Sequence, residues 1–269
     1  MNPKFAKFFT AALAGLVIAL PAQADETLQS VIDDPARPAD EKARDQYRHP
    51  YDTLTFFGIE PDMTVVELAP SGGWYTEIIA PYLAEQGRYV AGHFDMSIED
   101  APSYYESAMA AWRERVADDE RFGEPQVMPF HPPETSNLGP AGSADMVLSF
   151  RSVHGWKRDG VFEEVLRAAH AVLKPGGTFG IVGHRLPEDA DDSEFTGYIK
   201  SSWVVAKAES NGFRLVDSSE VNANPKDTAD HPNGVWTIPP SLNVPEGEDP
   251  APYESIGESD RFTLKFVKR

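Results

Sequence analysis

No cysteine occurs in the 269 residues. Disulfides, thiolate metal ligands, thiol nucleophiles and lipid attachment through cysteine are therefore excluded. Basic residues are scarce, with 24 Lys and Arg against 43 Asp and Glu, a formal charge of −19. Phosphate backbones and anionic lipid require a cationic surface, so neither nucleic acid nor an anionic membrane surface is an expected partner. Long apolar runs are also lacking, apart from Phe8 to Leu20. That run is too short to span a bilayer comfortably. It follows Lys4 and Lys7, leads to Ala22-Gln23-Ala24 and is succeeded by Asp25-Glu26, the layout of a secretory signal with a small-x-small cleavage site. The expected mature chain starts near Asp25, is periplasmic, has no stable membrane insertion and carries a formal −21, since residues 1–24 hold two lysines and no acid. No His-x-x-x-His or Glu-x-x-His spacing is present, so no metal site is expected.

What is there suits one domain with a sizeable core: 41% of residues are hydrophobic and 25% charged. We divide the chain into a signal peptide (1–24), an N-terminal helical extension (25–60) and a domain (61–269) carrying a long insertion at about 222–258. Residues 38–47 predict a helix, and 50–57 a further turn or two closed by Gly58. Arg37, Arg44, Arg48 and His49 form the basic cluster of note, read as a solvated helix face or as an entrance segment that touches a ligand. Strands are predicted at 64–68, 87–95, 126–130, 143–150, 178–183, 213–216 and 262–267. Helices are predicted at 73–84, interrupted by Pro81, and at 103–116, 161–173 and 196–211. Tyr104, Tyr105, Met109 and Trp112 read as buried positions of the second of these four helices. This alternation specifies a mostly parallel sheet with helices on both faces. Residues 222–258 are polar and proline-rich, and Trp236 within them predicts a segment that packs as an ordered lid.

Thr64-Val65-Val66-Glu67-Leu68-Ala69-Pro70-Ser71-Gly72-Gly73 reads as a strand, then a tight turn opening a helix. Glycine permits positive φ and close approach, and the unpaired N–H groups of a helix start favour acceptor atoms. Asp95, about 20 residues on, stands where a nucleotide fold places an acid for ribose hydroxyls; it reads equally as a capping or loop acid. Arg151-Ser152-Val153-His154-Gly155-Trp156 lies just past the 143–150 strand, where ligands bind in open α/β sheets.

With this turn, Asp95, and the junction Val172-Leu173-Lys174-Pro175-Gly176-Gly177, the chain resembles the class I S-adenosylmethionine-dependent methyltransferases. More closely it is similar to a group of exported predicted methyltransferases, whose Asn-Pro-Lys-Asp, Gly-Val-Trp and Asp-Arg-Phe-Thr-Leu-Lys-Phe segments recur at 224–227, 234–236 and 260–266. The resemblance covers roughly 40–269. It implies a Rossmann-like, mostly parallel seven-stranded sheet, S-adenosyl-L-methionine as cofactor and a small-molecule acceptor. It further implies that Glu67 lies near the cofactor's amino-acid end, that Ala69, Ser71, Gly72 and Gly73 line the methionine portion, that Asp95 takes the ribose, and that Phe130 and Phe150 flank the adenine. Ala69 and Ser71 occupy the first two glycine positions of the family's acidic-x-Gly-x-Gly-x-Gly pattern, which implies a differently shaped turn or a looser hold on the cofactor.

Methyl transfer needs positioning, plus a base when the acceptor must lose a proton. The candidate bases are His154 and His184, each just past a strand end, with His231 on the lid. Arg151 and Arg185 are candidates to orient an anionic substrate. The competing expectation is a binding protein that keeps this fold without the chemistry, and a third is lyase or hydrolase chemistry in the same cleft.

Overall fold

The computed structural model describes residues 25–99, 101–117 and 119–269. The predicted export signal at 1–24 lies outside the described residues. The described residues open with four helices, α1 (Glu26–Asp33), α2 (Ala39–Lys42), α3 (Asp45–Arg48) and α4 (Pro50–Phe57). The single helix expected at 38–47 is thus two short ones, the chain tightening between them through i→i−3 bonds such as Arg44 N to Glu41 O at 3.0 Å. Pro50 starts α4, where no N–H is required, and Gly58 ends it at φ 80°.

The sheet then builds in chain order: β1 (Thr64–Leu68), α5 (Thr76–Leu83), β2 (Arg88–His93), α6 (Tyr104–Val116), β3 (Gln126–Pro129) and β4 (Ala144–Phe150). There follow α7 (Val153–Arg158), α8 (Phe162–Val172), β5 (Leu173–Leu186), β6 (Ile199–Lys200), α9 (Ser201–Ser210), β7 (Phe213–Ser219), α10 (Ala251–Glu254) and β8 (Arg261–Lys268). The spatial order is β3-β2-β1-β4-β5-β8-β7, with β6 pairing β5 off this path. Seven strands make the main sheet, as expected, and the two-residue β6 is an addition. All main pairings are parallel except β5–β8 and β7–β8, because the last strand returns between its two predecessors. One difference concerns Lys174-Pro175-Gly176-Gly177, expected as a turn after α8. These residues are extended within β5, and the pairing with β4 skips from Ala144↔Leu173 to Met146↔Thr178, so the glycine pair is accommodated as a bulge.

Neighbouring residues on each strand divide between two cores, as a period of two requires. Val66, Val147 and Phe179 join α8 and α9 in one layer, while Val65, Met146 and Leu148 join α5 and Trp112 in the other. Leu28, Ile32, Leu54 and Phe57 belong to that second layer, so the N-terminal helices are part of the core. The order reverses between β1, whose successor lies on one side, and β4, which lies on the other. A crevice opens beyond the carboxyl ends of strands at such a point.

The packing of α4 on the sheet can be tested at Gly180, where a Cβ would lie 2.7 Å from both Leu148 Cδ2 and Phe57 Cδ1. Gly180→Ala is expected to lower unfolding free energy by about 1–3 kcal/mol through overpacking, measured as a shifted urea midpoint with unchanged slope.

Candidate functional site

The turn after β1 has positive φ at alternate residues: Ala69 at 50°, Ser71 at 54° and Gly73 at 85°. L-residues meet a steric penalty there, which persists only where the surroundings over-determine the backbone. Here Ala69 N donates to Gly92 O at 2.8 Å and Gly73 N to Pro70 O at 2.9 Å, while Arg115 Nε donates to Gly72 O at 2.7 Å. His93, fully buried at the end of β2, secures the middle of the turn. Its Nδ1 accepts from Phe94 N at 2.8 Å, so Nε2 carries the hydrogen and donates to Ser71 O at 2.9 Å. Burial holds its pKa below the usual imidazole value, which keeps this tautomer neutral.

Two adjoining cavities lie beyond the strand ends. The first, of about 220 Å³, is bounded by Glu67, Tyr75, Phe150 and His184, with Trp236 and Pro239 from the return segment closing it. The second, of about 340 Å³, is bounded by Phe94, Tyr104, Tyr105, His154 and Trp156. Ala69, Ser71, Arg151, Ser152 and Trp236 border both, making one bipartite crevice.

Of the residues singled out in the sequence, Glu67, Ala69, Ser71, Phe150, Arg151, His154 and His184 meet at this crevice. Gly72 and Gly73 border neither cavity; Gly73 backs onto α6, where a Cβ would stand 3.0 Å from Arg115 and Trp112. Phe130 is a core residue, its edge toward Trp156 at a ring separation of 6.5 Å. Asp95 borders neither cavity, and its carboxylate ties its loop to the β3–β4 connection: Ser97 N and Oγ donate to Oδ1 at 2.9 and 2.7 Å, and Thr135 Oγ donates to Oδ2 at 2.5 Å. His231 donates to Asp227 at 2.8 Å beside Tyr198, outside both cavities. Arg185 grips Asp260 with two bonds of 2.8 Å and also reaches Glu220, so it does not face the crevice. The solvated-face reading of the basic cluster is overturned, since Arg37 and Arg48 are buried: Arg37 grips Asp45 at 2.9 and 3.0 Å, and Arg48 meets Glu258 at 3.0 Å while lying over Trp74.

The charged groups are shaped by burial. Glu67 is wholly buried, and burial pushes its carboxyl up to about 7 although Tyr89 and Thr76 donate to Oε2 at 2.6 and 3.0 Å. Burial, reinforced by Arg151 and Arg158, lowers His154 to about 4. Burial followed by neighbouring His154 carries His184 well below its usual value. Both rings are neutral near pH 7, with centroids 5.3 Å apart. Their roles differ, however. Arg261 Nε donates to Ser259 Oγ at 3.2 Å, and Ser259 lies 2.6 Å from His184 Nδ1. Ser259 Oγ keeps both a hydrogen and a second lone pair beside Arg261 Nε, so the Ser259–His184 bond forms with either neutral tautomer of the imidazole. His154 has no such partner and keeps a free imidazole nitrogen to accept a proton.

Glu258, Ser259 and Arg261 went unnoticed as site residues, although Arg261 stands in a segment singled out by resemblance. Nothing local marks Glu258, which is recruited by Arg44 and Arg48 more than 200 positions away. Among the described residues no group of three or more His, Cys, Asp or Glu side chains is placed to hold a metal ion.

Solved structures similar to this one include an S-adenosylmethionine-dependent methyltransferase from Aquifex aeolicus, with TM-score 0.56 and 15% identity over 90% of this chain and 98% of that one. The PH0226 protein from Pyrococcus horikoshii OT3 matches with TM-score 0.54 and 12% identity over 87% and 93% of the two chains. The (4+2) cyclase SpnF matches with TM-score 0.51 and 14% identity over 82% and 80%. No protein-family model matches the sequence, and the search of curated proteins found no match. The chain has the class I methyltransferase fold.

Two measurements probe the site. Ala69→Gly and Ser71→Gly should each stabilise the protein by about 1 kcal/mol, because glycine accepts positive φ without the Cβ clash; chemical denaturation reads this directly. Glu67 holds its proton in the folded state up to about 7 but releases it near 4.5 when unfolded. Its contribution to stability is present below pH 4.5 and lost as pH rises through 7, a change of roughly 3 kcal/mol. Glu67→Gln should remove that part of the pH dependence and be more stable than wild type at pH 8.

Proposed function

We propose that this chain is an exported methyltransferase that uses S-adenosylmethionine to modify a small molecule in the bipartite crevice. The observation that carries the reading is that a single space at the β1/β4 reversal combines a buried acid, an aromatic chamber and a free neutral histidine on this fold. The residues suit such a cofactor. Glu67 borders the first cavity with one carboxyl oxygen engaged by Tyr89 and Thr76, leaving the other to meet an ammonium group. Phe94, Tyr104, Tyr105 and Trp156 line the second with flat faces suited to a purine. When bound, the cofactor supplies an electrophilic methyl group on a sulfonium.

The protein's own work is positioning and proton handling. His154 stands at the start of α7, past the end of β4, and takes the acceptor's proton as the methyl is transferred. Trp236 and the Pro239–Pro240 pair line the chamber on the side of the return segment. The return segment that carries them is anchored: Asn224 Nδ2 donates to Ile256 O and Glu258 O at 2.9 and 2.7 Å, and Val235 N to Thr196 O at 2.9 Å. Catalytic silence was supported by Ala69 and Ser71 in place of glycine, and that support weakens because both residues take the positive φ that glycine would. Export rests on the N-terminal signal pattern, and cell fractionation with N-terminal sequencing should find a periplasmic chain beginning near Asp25.

Calorimetry with S-adenosylmethionine and S-adenosylhomocysteine should show saturable binding, and absence of heat at high micromolar ligand would end this reading. With an acceptor found, His154→Ala should lower kcat by about 10²–10⁴-fold while leaving cofactor affinity unchanged. Because His154 titrates at about 4, its free base is present above that value. The rate should therefore stay level from about pH 5.5 to 8 and fall only as pH approaches 4.

A further inference from the structure

The crevice holds more positive charge than its protein partners neutralise. Glu258 alone meets three guanidinium groups: Arg44 Nε at 2.7 Å, Arg48 Nε at 3.0 Å and Arg261 Nη2. Arg151 is the fourth guanidinium of this cluster, and its side chain makes no hydrogen bond to any described residue. Its Nε is buried without a partner, as are Arg44 Nη2 and Arg48 Nη1. Glu67, the acid that borders the first cavity, already accepts from Tyr89 and Thr76. Among the described residues no acid forms an ion pair with Arg151, and Glu258 acts on it from beyond hydrogen-bond range. A buried cation with no counter-charge in hydrogen-bond contact is unfavourable. Its backbone is also held at φ 61° by the bond from Arg151 N to Val182 O at 2.7 Å, which fixes the side chain at the wall between the cavities.

We propose that the first cavity is a carboxylate-binding site, with Arg151 as the principal partner and His184, in its Nε2–H tautomer, as a second donor. The surrounding donors agree. His184, its Nδ1 engaged by Ser259, borders this space, and so do Ser152 and Ser241. The planar fork of an arginine matches a carboxylate in two parallel bonds. Trp74, Tyr75 and Phe150, the last two stacked at 3.5 Å, make the other walls flat and apolar. The carboxylate therefore belongs to a small, flat or short-chained molecule. It has two sources, the amino-acid tail of the cofactor or a carboxylate-bearing acceptor. Only that choice rests on the methyl-transfer reading; the anion site does not.

The test uses the purified protein, Arg151→Gln, and Arg167→Gln as an exposed charge control on α8. Affinities are measured by calorimetry for S-adenosylhomocysteine against 5′-methylthioadenosine, which lacks the amino-acid tail, and for benzoate against neutral benzamide. Arg151→Gln is expected to weaken one carboxylate ligand by about tenfold or more, leaving its tail-less or neutral counterpart unchanged. Loss confined to the first pair identifies the cofactor tail, and loss in the second identifies the acceptor. Without ligand, the melting temperature of Arg151→Gln should rise, because an unpartnered buried charge is gone, and this separates a binding role from a structural one. Affinities within about twofold of wild type in both pairs, or a lowered melting temperature with unchanged affinities, would overturn the proposal. If neither adenosyl compound binds wild type, methyl transfer falls while the benzoate pair still decides the anion site.

Discussion

One buried carboxylate joins the two ends of the chain over the functional crevice. Glu258 takes Arg44 and Arg48 from the N-terminal helices and Arg261 from the start of β8. Burial opposes its ionisation, yet Arg261, Arg48 and Arg151 outweigh it and hold its pKa down to about 2. The carboxylate therefore stays charged across the physiological range. Removing it would strand three arginines at a site from which water is largely excluded. Because Arg261 also holds Ser259, and Ser259 holds His184, the same carboxylate is linked to a crevice imidazole three hydrogen bonds away.

A second constraint acts on the opposite wall. The turn after β1 is strained at Ala69 and Ser71, and the strain is sustained by elements distant in sequence: His93 from β2, Arg115 from α6 and the carbonyl of Gly92. Glycine would reach the same backbone without this scaffolding, but with a looser unfolded chain and a more mobile turn. The protein thus arrives at the glycine-like path of its fold by cross-bracing. The braces converge on Thr76 and Trp112, which donate in sequence toward Glu67 and bind the acid into the α5–α6 layer.

The return segment supplies the remaining wall. Its polar composition reflects a dense set of internal bonds. Asp227 accepts from Tyr198, His231 and the Asp260 amide, and Asn222 donates to both Thr53 and Thr263. These contacts hold the segment that places Trp236 at the border of both cavities. A fold shared with a methyltransferase and with a cyclase does not by itself specify a reaction. The assignment here depends on which donors and acceptors face the enclosed space.

The sequence alone determined the layers. Strand and helix periods, the stop at Gly58, the turn after Leu68 and the polar cluster after Phe150 are local properties, and local sterics and hydrophobic alternation are sufficient to set them. It also determined which side of the sheet carries the crevice, since ligands gather at the carboxyl ends of parallel strands. Tertiary structure alone decided the electrostatics. Arg48 belongs to a cluster that reads as a solvated face and is buried, Asp95 reads equally as a ribose ligand or a loop acid and is bonded by Ser97 and Thr135, and His184 reads as a base and is bonded to Ser259. In each case the deciding partner is remote in the chain or appears only once the backbone turns. Charge, tautomer and accessibility depend on three-dimensional distance and exclusion of water, and neither quantity is encoded by spacing along a chain.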